Sequence, residues 1–324
     1  GSTHGCTLSP MVTGGRLEPT FGIERLMWGM GAFNSHLAGT VGIACAEEYQ
    51  LPPVIEAIAA DLPDGMWNRE HHMGELEVNK VTYKTPDYML CSAQDYHPGE
   101  PGARQHIWQA TMGPDAVVFV THPPCLSTDD SHQPNFWCGN VVLPRVAQWK
   151  DVLVAIHRLP DDDWLGFTHA YFPVHAFDEH ALRESTNGHT WAFARKGDGY
   201  LALTAACGLT LITRGESAYR ELRSYGQHNV WLCHMGRAAL DGSFTEFQDR
   251  VLALDVTFEG LSVRCATLRG ETLTFGWEGP LWRNGEEQPI TGFKHYENPY
   301  CVADLPAEQM EIRYGDQVMR LHFA

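Results

Sequence analysis

Residues 191–205 read WAFARKGDGYLALTA, two short apolar runs that flank the turn Lys196-Gly197-Asp198-Gly199. Glycine and aspartate between such runs are typical of a β-hairpin, because tight turns need residues that accept unusual backbone angles. Similar apolar runs lie at 117–120, 152–156, 209–213, 251–258, 261–268, 272–277 and 310–314. Asn284-Gly285 is a further hairpin signal. The sequence therefore predicts a mainly β protein, with a large antiparallel β-sandwich of the supersandwich type over residues 67–324.

Residues 1–66 predict a short N-terminal helical segment. Apolar residues recur every three or four positions in 21–44, the period of an amphipathic helix, although five glycines interrupt this window. A second helix is expected at 53–60, where the proline at its start is tolerated. Two helices cannot bury their own apolar faces. They must therefore pack either on the β region or on further upstream helices. We favour the second, which would expose an apolar surface in this chain.

One helical insertion is expected inside the β region, at 244–250. Ser243 precedes it and Glu246 follows three residues later, the spacing of a capping box. This helix would interrupt the run of strands without changing the fold class.

The charge of the chain limits its partners. Its 324 residues include 40 acidic and 23 basic side chains, a formal net charge of −17. This charge repels phosphate backbones, so nucleic acid is not an expected partner. No stretch approaches the length of a membrane span, so a membrane is not expected as a partner either. The sequence leaves open both the oligomeric state and the location, cytoplasmic or exported.

The nine cysteines are scattered singly, with no Cys-x-x-Cys pair. An odd number in this arrangement indicates neither a disulfide framework nor a zinc ribbon. Most lie beside apolar or small residues, so we expect buried free thiols, which suit a reducing compartment.

Histidines and aromatic residues crowd two segments that are candidates for chemistry. The first is the Gly- and Pro-rich loop 95–106, which contains His97, Arg104 and His106 and leads directly into the apolar segment 107–111. The second is 167–175, where His169 and Tyr171 alternate and would share one face of a strand, with His175 after the proline. An imidazole beside a phenol suits proton transfer. The structural alternative is a half-buried face with hydrogen-bonded polar tips.

Metal sites are possible by composition but not specified by spacing. The adjacent His71 and His72 would point to opposite faces of a strand, so they are not expected to chelate one ion together. Two looser groups are His97, His106 and His122, and His175, Asp178, Glu179 and His180. Solvated charge is the expected role of the second group. A divalent metal such as zinc or calcium stays open as a cofactor, and no HExxH, Walker, paired GxGxxG or GxSxG motif is present.

Two stretches carry a resemblance to a known family. GARQHIWQATMGPDAVVFV at 102–120 resembles the region of heparinase II/III-like polysaccharide lyases where a histidine-bearing loop leads into paired strands. The hairpin at 191–203 is similar to one in the β-sandwich of that family. The resemblance implies that residues 1–66 end an α/α toroid, and that a missing N-terminal helical domain is a partner. It also departs from the family pattern, because the closely spaced His and Asp of the family loop are spread out here.

The resemblance implies a carbohydrate substrate and β-elimination at a uronate. Arg104 and His106 would hold or neutralise the carboxylate, while Tyr171 or His169 would transfer the proton. The further substrate-binding candidates are Asn140, Trp108, Trp137 and His97. The alternative is a non-catalytic β-sandwich that binds sugar through exposed aromatics such as Trp108, Trp137 and Trp164, or a structural domain that braces a neighbour.

Overall fold

A computed structural model of the protein describes residues 50–61, 64–72, 77–103, 105–113, 115–128 and 134–323. These residues form three antiparallel sheets of twelve, six and five strands. The expected mainly β, antiparallel fold is thereby confirmed. None of the helices in the described ranges has both the length and the apolar character needed to cross a membrane. The expected helix at 21–44 and its apolar surface lie outside the described residues.

The hairpin at 191–205 forms two strands of the six-stranded sheet, which is called the middle sheet because it lies between the other two. Its strands meet at a two-residue turn, where Lys196 pairs with Gly199 and Gly197 has a φ of +56°. Strands are numbered along the chain, and the spatial order in this six-stranded sheet is β6 (Arg145–Trp149), β7 (Val152–Arg158), β14 (His228–Arg237), β11 (Gly199–Ala205), β10 (Thr190–Lys196) and β9 (Glu179–Glu184).

The inner strands of the middle sheet are buried on both faces, which explains their continuous apolar runs. In β10, Ala192 and Ala194 enter one core, whereas Trp191 and Phe193 enter the core on the opposite face. Successive side chains of a strand point to opposite faces, so a strand covered on both sides must be apolar at every position. The middle sheet therefore joins two hydrophobic cores.

The twelve-stranded sheet covers one face of the middle sheet. Its spatial order is β12 (Thr210–Leu211), β13 (Glu221–Tyr225), β8 (Phe167–Tyr171), β5 (Val117–Thr121), β4 (Trp108–Thr111), β3 (Met89–Gln94), β2 (Val78–Lys84), β1 (Met66–His72), β20 (Tyr296–Asn298), β21 (Cys301–Ala303), β22 (Gln309–Tyr314) and β23 (Gln317–His322). Ala110, Val118 and Ala170 lie on its inner face and enter the shared core. The opposite, outer face carries the candidate site.

The five-stranded sheet and a helix cover the other face of the middle sheet. Its strands, in spatial and chain order, are β15 (Val256–Glu259), β16 (Ser262–Ala266), β17 (Thr272–Gly276), β18 (Leu281–Arg283) and β19 (Glu286–Gln288). The turn between β18 and β19 is Asn284-Gly285, with φ values of +53° and +84°. Positive φ at both turn positions is the reason why this dipeptide predicts hairpins correctly.

Three α-helices lie in the described part of the chain: α1 (Pro53–Ala60), α2 (Ala238–Asp241) and α3 (Phe244–Leu252). The capping box of Ser243 and Glu246 at the start of α3 is confirmed. The strand expected at 251–258 is wrong in its first half, because Val251 belongs to α3 and packs in the second core. The periodicity of so short an apolar run does not separate the end of a helix from a strand.

Helix α1 forms where expected but packs on the β region. It contacts β22 and β23, and the hydroxyl of Tyr300 donates a hydrogen bond to Asp61 just after the helix (2.5 Å). Of the two expected partners of this helix, the β region is therefore observed, and packing on upstream helices stays a prediction because it concerns residues outside the described ranges. Val54 is the buried residue of α1.

A buried ionic cluster joins α2 to the loop between β16 and β17. The guanidinium of Arg269 donates two hydrogen bonds to Asp241 (both 2.8 Å) and one to Asp151 (3.1 Å). The side chain of Asp241 has no exposed surface, and Arg250 also donates to it (2.9 Å). Burial disfavours charge, but hydrogen bonds and charge from the two carboxylates outweigh it, so the pKa of Arg269 is raised above its usual range.

Candidate functional site

Strand β8 sends two kinds of side chain to opposite faces of the twelve-stranded sheet. Ala170 enters the inner core, and Thr168 accepts a hydrogen bond from the indole of Trp231 in the middle sheet (2.8 Å). His169 and Tyr171 lie on the outer face, as the alternation predicts. His175 does not continue this face, because the chain turns into a short 3-10 helix (Val174–Ala176) after Pro173.

Neighbouring strands extend this outer face into two cross-strand rows. In one row, Tyr171 is paired with Phe119 on β5 and with Glu221 on β13; in the other, His169 is paired with Thr121 and Arg223. Directly opposite side chains on one face lie within contact distance. Together with the rings that pack on them, these side chains form the outer-face cluster: His106, Phe119, Thr121, Phe136, Trp137, His169, Tyr171, Glu221 and Arg223.

Two aromatic residues of the loop after Asn135 cover His169. The indole of Trp137 lies parallel to the imidazole, with ring centroids 4.7 Å apart and an interplanar angle of 8°. Phe136 meets the same imidazole edge to face at 4.5 Å. His169 consequently has no exposed surface. In this conformation a sugar cannot touch it, so its expected role as a catalytic group is corrected to that of a support for Trp137.

The imidazole of His169 is held by a buried carboxylate. Glu221 lies 3.1 Å from its Nδ1 and accepts a hydrogen bond from Arg223 (2.5 Å), and the Ser217 hydroxyl also donates to it. Burial alone raises the pKa of Glu221, but hydrogen bonds from His169 and Arg223 outweigh burial and lower that pKa to about 2. For His169, burial outweighs the opposing effect of Glu221, so its pKa is lowered. Glu221 is therefore ionised beside a mainly neutral imidazole at pH 7.

Tyr171 is a titratable group of the cluster that is partly exposed and is held in place by two aromatic rings. Its ring stacks on Phe119 at 5.4 Å with an interplanar angle of 18°, and Trp137 meets it edge to face at 5.3 Å. Partial burial raises the pKa of the phenol, and the charge of Arg220 opposes this rise. The hydroxyl therefore stays protonated at neutral pH and can donate a proton or a hydrogen bond.

His106 joins the cluster from the loop 95–106. The centroid of its ring lies 4.7 Å from that of Phe119, and Phe119 also stacks on Tyr171. The loop is clamped to the segment at 140–143, because the Gly102 N–H donates to Val141 (2.9 Å). A Cβ at Gly102 would lie 2.6 Å from the carbonyl oxygen of Asn140, so only glycine permits this approach.

Two of the expected substrate contacts are structural instead. Trp108 has no exposed surface, because β4 directs its indole into the inner core, so its expected sugar contact is wrong. Asn140 is also fully buried. Its amide oxygen accepts from the His122 N–H and its amide nitrogen donates to the Gln105 carbonyl, both at 2.9 Å. Asn140 thus positions the loop that carries His106 and does not reach a ligand itself.

The remaining expected residues have different outcomes. Trp137 is partly exposed and belongs to the outer-face cluster. The His97 ring contacts Tyr96 and its Nδ1 lies 3.4 Å from a carboxylate oxygen of Glu100, on the part of the loop before Gly102. Arg104 lies outside the described residues.

A metal centre is not assembled in the described part of the chain, where no three His, Cys, Asp or Glu side chains are close enough to hold an ion. In the acidic group after His175, Asp178 pairs with Lys196 (3.0 Å) and Glu179 pairs with Arg195 (2.8 Å). These ion pairs agree with the expected role of that group as surface charge.

Buried imidazoles lie behind the cluster. His122 bonds Asp163 (2.8 Å), whereas neither ring nitrogen of His157 has a hydrogen-bond partner among the described residues. Burial is the main cause that lowers the pKa of His157 to about 3, and the charges of His122 and His169 add to it. His157 is therefore neutral at physiological pH.

Sequence reasoning missed Glu221 and Arg223, which fix His169. A signal was present, because the charged residues Glu221 and Arg223 alternate with the uncharged Leu222 and Ser224, with the same two-residue period as His169 and Tyr171. Which residue of β13 faces which residue of β8 is a long-range register, and the sequence alone does not give it.

Comparison of the chain with protein-family models, curated proteins and solved structures found no match. The basis for a function is therefore the geometry of the outer-face cluster, together with the resemblance at 102–120 and 191–203.

Proposed function

We propose that the outer-face cluster is the carbohydrate site of a polysaccharide lyase that cleaves uronate-containing glycans by β-elimination. The observation that carries this proposal is the position of Tyr171. Its protonated phenol is stacked on Phe119, which also contacts His106, and Trp137 meets the Tyr171 ring edge to face. A phenol, an imidazole and a partly exposed indole on one sheet face suit a sugar ring that must be held and deprotonated.

The reaction assigns one task to each group. His106 takes the C5 proton of the uronate, and the electrons of that C–H bond form the C4–C5 double bond. The C4–O bond then breaks, and the Tyr171 hydroxyl gives its proton to the leaving oxygen. A raised phenol pKa suits this acid role, because the group carries its proton at neutral pH. The resemblance implies that Arg104 and His106 neutralise the carboxylate. It also implies that Tyr171 or His169 transfers the proton. Because His169 is buried, His106 moves to the base role in the proposed reaction, and the carboxylate is left to Arg104.

A second candidate function is a non-catalytic carbohydrate-binding domain. The burial of His169 favours it, since one of the two expected proton-transfer groups has no exposed surface. In this reading Trp137 stacks on a sugar and His169 only supports the indole from behind.

The two functions differ in products. Incubation of the protein with a panel of uronate polymers should release unsaturated, ultraviolet-absorbing ends if it is a lyase. His106→Ala should abolish this release and leave the melting temperature nearly unchanged, because the side chain is at the partly exposed end of the cluster. Binding of the same polymers without product would favour the binding domain, and no binding would contradict both functions.

A further inference from the structure

The turn before β13 carries a strained aromatic residue. Tyr219 has a φ of +59°, in the left-handed region, and its side chain is 53% exposed. A bulky residue is strained in this region, and an exposed ring offsets little of that strain by burial. Two backbone hydrogen bonds impose the conformation: the Tyr219 N–H donates to Ile212 (2.8 Å), and its carbonyl accepts from Val174 (2.9 Å).

This strained residue is next to the outer-face cluster. The carbonyl of Arg220 accepts a hydrogen bond from the Phe172 N–H (2.9 Å), and the following Glu221 is paired with Tyr171. Tyr219 therefore lies two residues from the cross-strand partner of Tyr171, a displacement of about 7 Å along a strand.

Arg220 supplies a guanidinium with unused donor capacity. Its Nη2 donates to the Glu216 carbonyl (2.6 Å), whereas its buried Nε has no hydrogen-bond partner among the described residues. This enclosed Nε is out of the reach of a ligand, but the guanidinium forms no ion pair with a carboxylate of the described residues, so its outer nitrogens can bind an anion. The charge of Arg220 also opposes the rise that burial causes in the pKa of Tyr171.

The local charge suits an acidic ligand although the whole chain is acidic. Residues 210–225 contain three arginines and two glutamates, against a net charge of −17 for the protein. Glu221 and Arg223 neutralise each other (2.5 Å). The remaining charges of this segment are those of Arg214, Arg220 and Glu216, so the segment has a net positive charge.

We propose that Tyr219 and Arg220 form a sugar subsite beside Tyr171, in which the Tyr219 ring stacks on a uronate and the Arg220 guanidinium binds its carboxylate. An aromatic face suits the C–H face of a pyranose, and a guanidinium forms paired hydrogen bonds with a carboxylate. The subsite rests on the proposed function for the identity of the ligand. It explains why a strained aromatic and an unsatisfied guanidinium occur at adjacent positions.

Calorimetric titration with a uronate tetrasaccharide and with its carboxyl-reduced, neutral counterpart tests the subsite. The titrated protein carries Tyr171→Phe, which prevents cleavage during the measurement. Adding Arg220→Gln should weaken binding of the uronate form about tenfold or more and leave the neutral form unaffected, because only the former has the charge-assisted pair.

The second variant, Tyr219→Gly, separates function from strain. Glycine accepts a positive φ, so the melting temperature should stay equal or rise, while affinity for both tetrasaccharides should fall about tenfold. Tyr225→Ala is the matched control, because Tyr225 has the same exposed fraction of 53% at the far end of β13. It should bind both ligands as the parent does.

Unchanged binding in the Tyr219→Gly and Arg220→Gln variants, with a parent that binds the uronate form, would overturn the subsite and leave the proposed function standing. Equal loss of both ligands in Arg220→Gln would also overturn the role of the guanidinium. A parent that binds neither tetrasaccharide would overturn the subsite and the proposed function together.

Discussion

The indole of Trp137 lies parallel to the imidazole of His169, with centroids 4.7 Å apart, and the buried carboxylate of Glu221 holds the same imidazole at Nδ1 from 3.1 Å. The hydrogen bond thus fixes the position of the His169 ring, and the indole shields that ring from solvent. This arrangement makes Trp137 the group that separates the imidazole from solvent, and it gives the first prediction.

Replacing Trp137 with alanine should raise the pKa of His169 towards its ordinary value. Burial is the main cause that lowers this pKa, so admitting water favours the protonated form. Titration of the histidine ring signals by NMR measures the change. Trp164→Ala is the control, since Trp164 is 70% exposed. An unchanged titration of His169 in the Trp137 variant would show that the indole does not limit access.

The stability of the protein should fall as the pH drops below about 6.5. In the folded state the pKa of His157 is lowered to about 3, whereas in the unfolded chain it has its ordinary value of 6.5. The unfolded state therefore takes up more protons in this interval, so the free energy of unfolding falls by more than about 1 kcal/mol per pH unit from His157 alone once the pH is well below 6.5.

Denaturant titrations between pH 6.5 and 5 measure this slope, above the range where carboxyl groups protonate. His157→Phe keeps a ring of similar shape without a titrating group, so its slope should be shallower. His175→Gln is the control, because His175 is exposed, and it should keep the parent slope. Equal slopes for His157→Phe and the parent protein would contradict the assignment.

Removing Arg269 should lower the free energy of unfolding by about 3 kcal/mol. Arg269→Ala leaves the fully buried Asp241 with one fewer charged donor and releases Asp151 as well. Arg264→Ala is the matched control, because the pair of Arg264 with Asp255 is largely exposed, and its loss should cost less than about 1 kcal/mol. Chemical denaturation of both variants measures the difference, and equal costs would refute the structural role of the cluster.

Glu221→Gln should destabilise the protein by about 2–3 kcal/mol. Glutamine keeps the size of the side chain, but it removes the charge that Arg223 pairs with and one acceptor oxygen at a buried position. The near-ultraviolet circular dichroism of the tryptophans should also change, because His169 would no longer be held under Trp137. A variant with parental stability and spectrum would show that the carboxylate is not needed to order the site.

The sequence predicts the parts of the fold that depend on neighbouring residues. The turn at Asn284-Gly285 forms because both residues accept positive φ, and the capping box at Ser243 marks the start of α3. The sequence also places His169 and Tyr171 on one face of a strand, because the alternation of side chains along a strand is a local property. The end of α3 is missed, because Val251 continues an apolar run that suits a strand as well as a helix.

Long-range placement accounts for the errors at the site. A tryptophan in a strand, such as Trp108, suits both a sugar-binding surface and a hydrophobic core. Only the position of the middle sheet, which covers Trp108, decides between the two. Likewise, Glu221 lies 50 residues after Tyr171 in the sequence, and only the pairing of β8 with β13 brings the two together. Such contacts depend on the complete sheet order.

The most direct test of the carbohydrate-lyase assignment is the release of unsaturated ends from uronate polymers by the parent protein and by Tyr171→Phe. The substitution removes only the hydroxyl and keeps the ring on Phe119, so folding and stacking are retained. The assignment predicts product from at least one polymer with the parent protein and a loss of more than about 100-fold with the variant, as expected for removal of a general acid. Equal rates in the two proteins, or no product from any polymer with the parent protein, would contradict it.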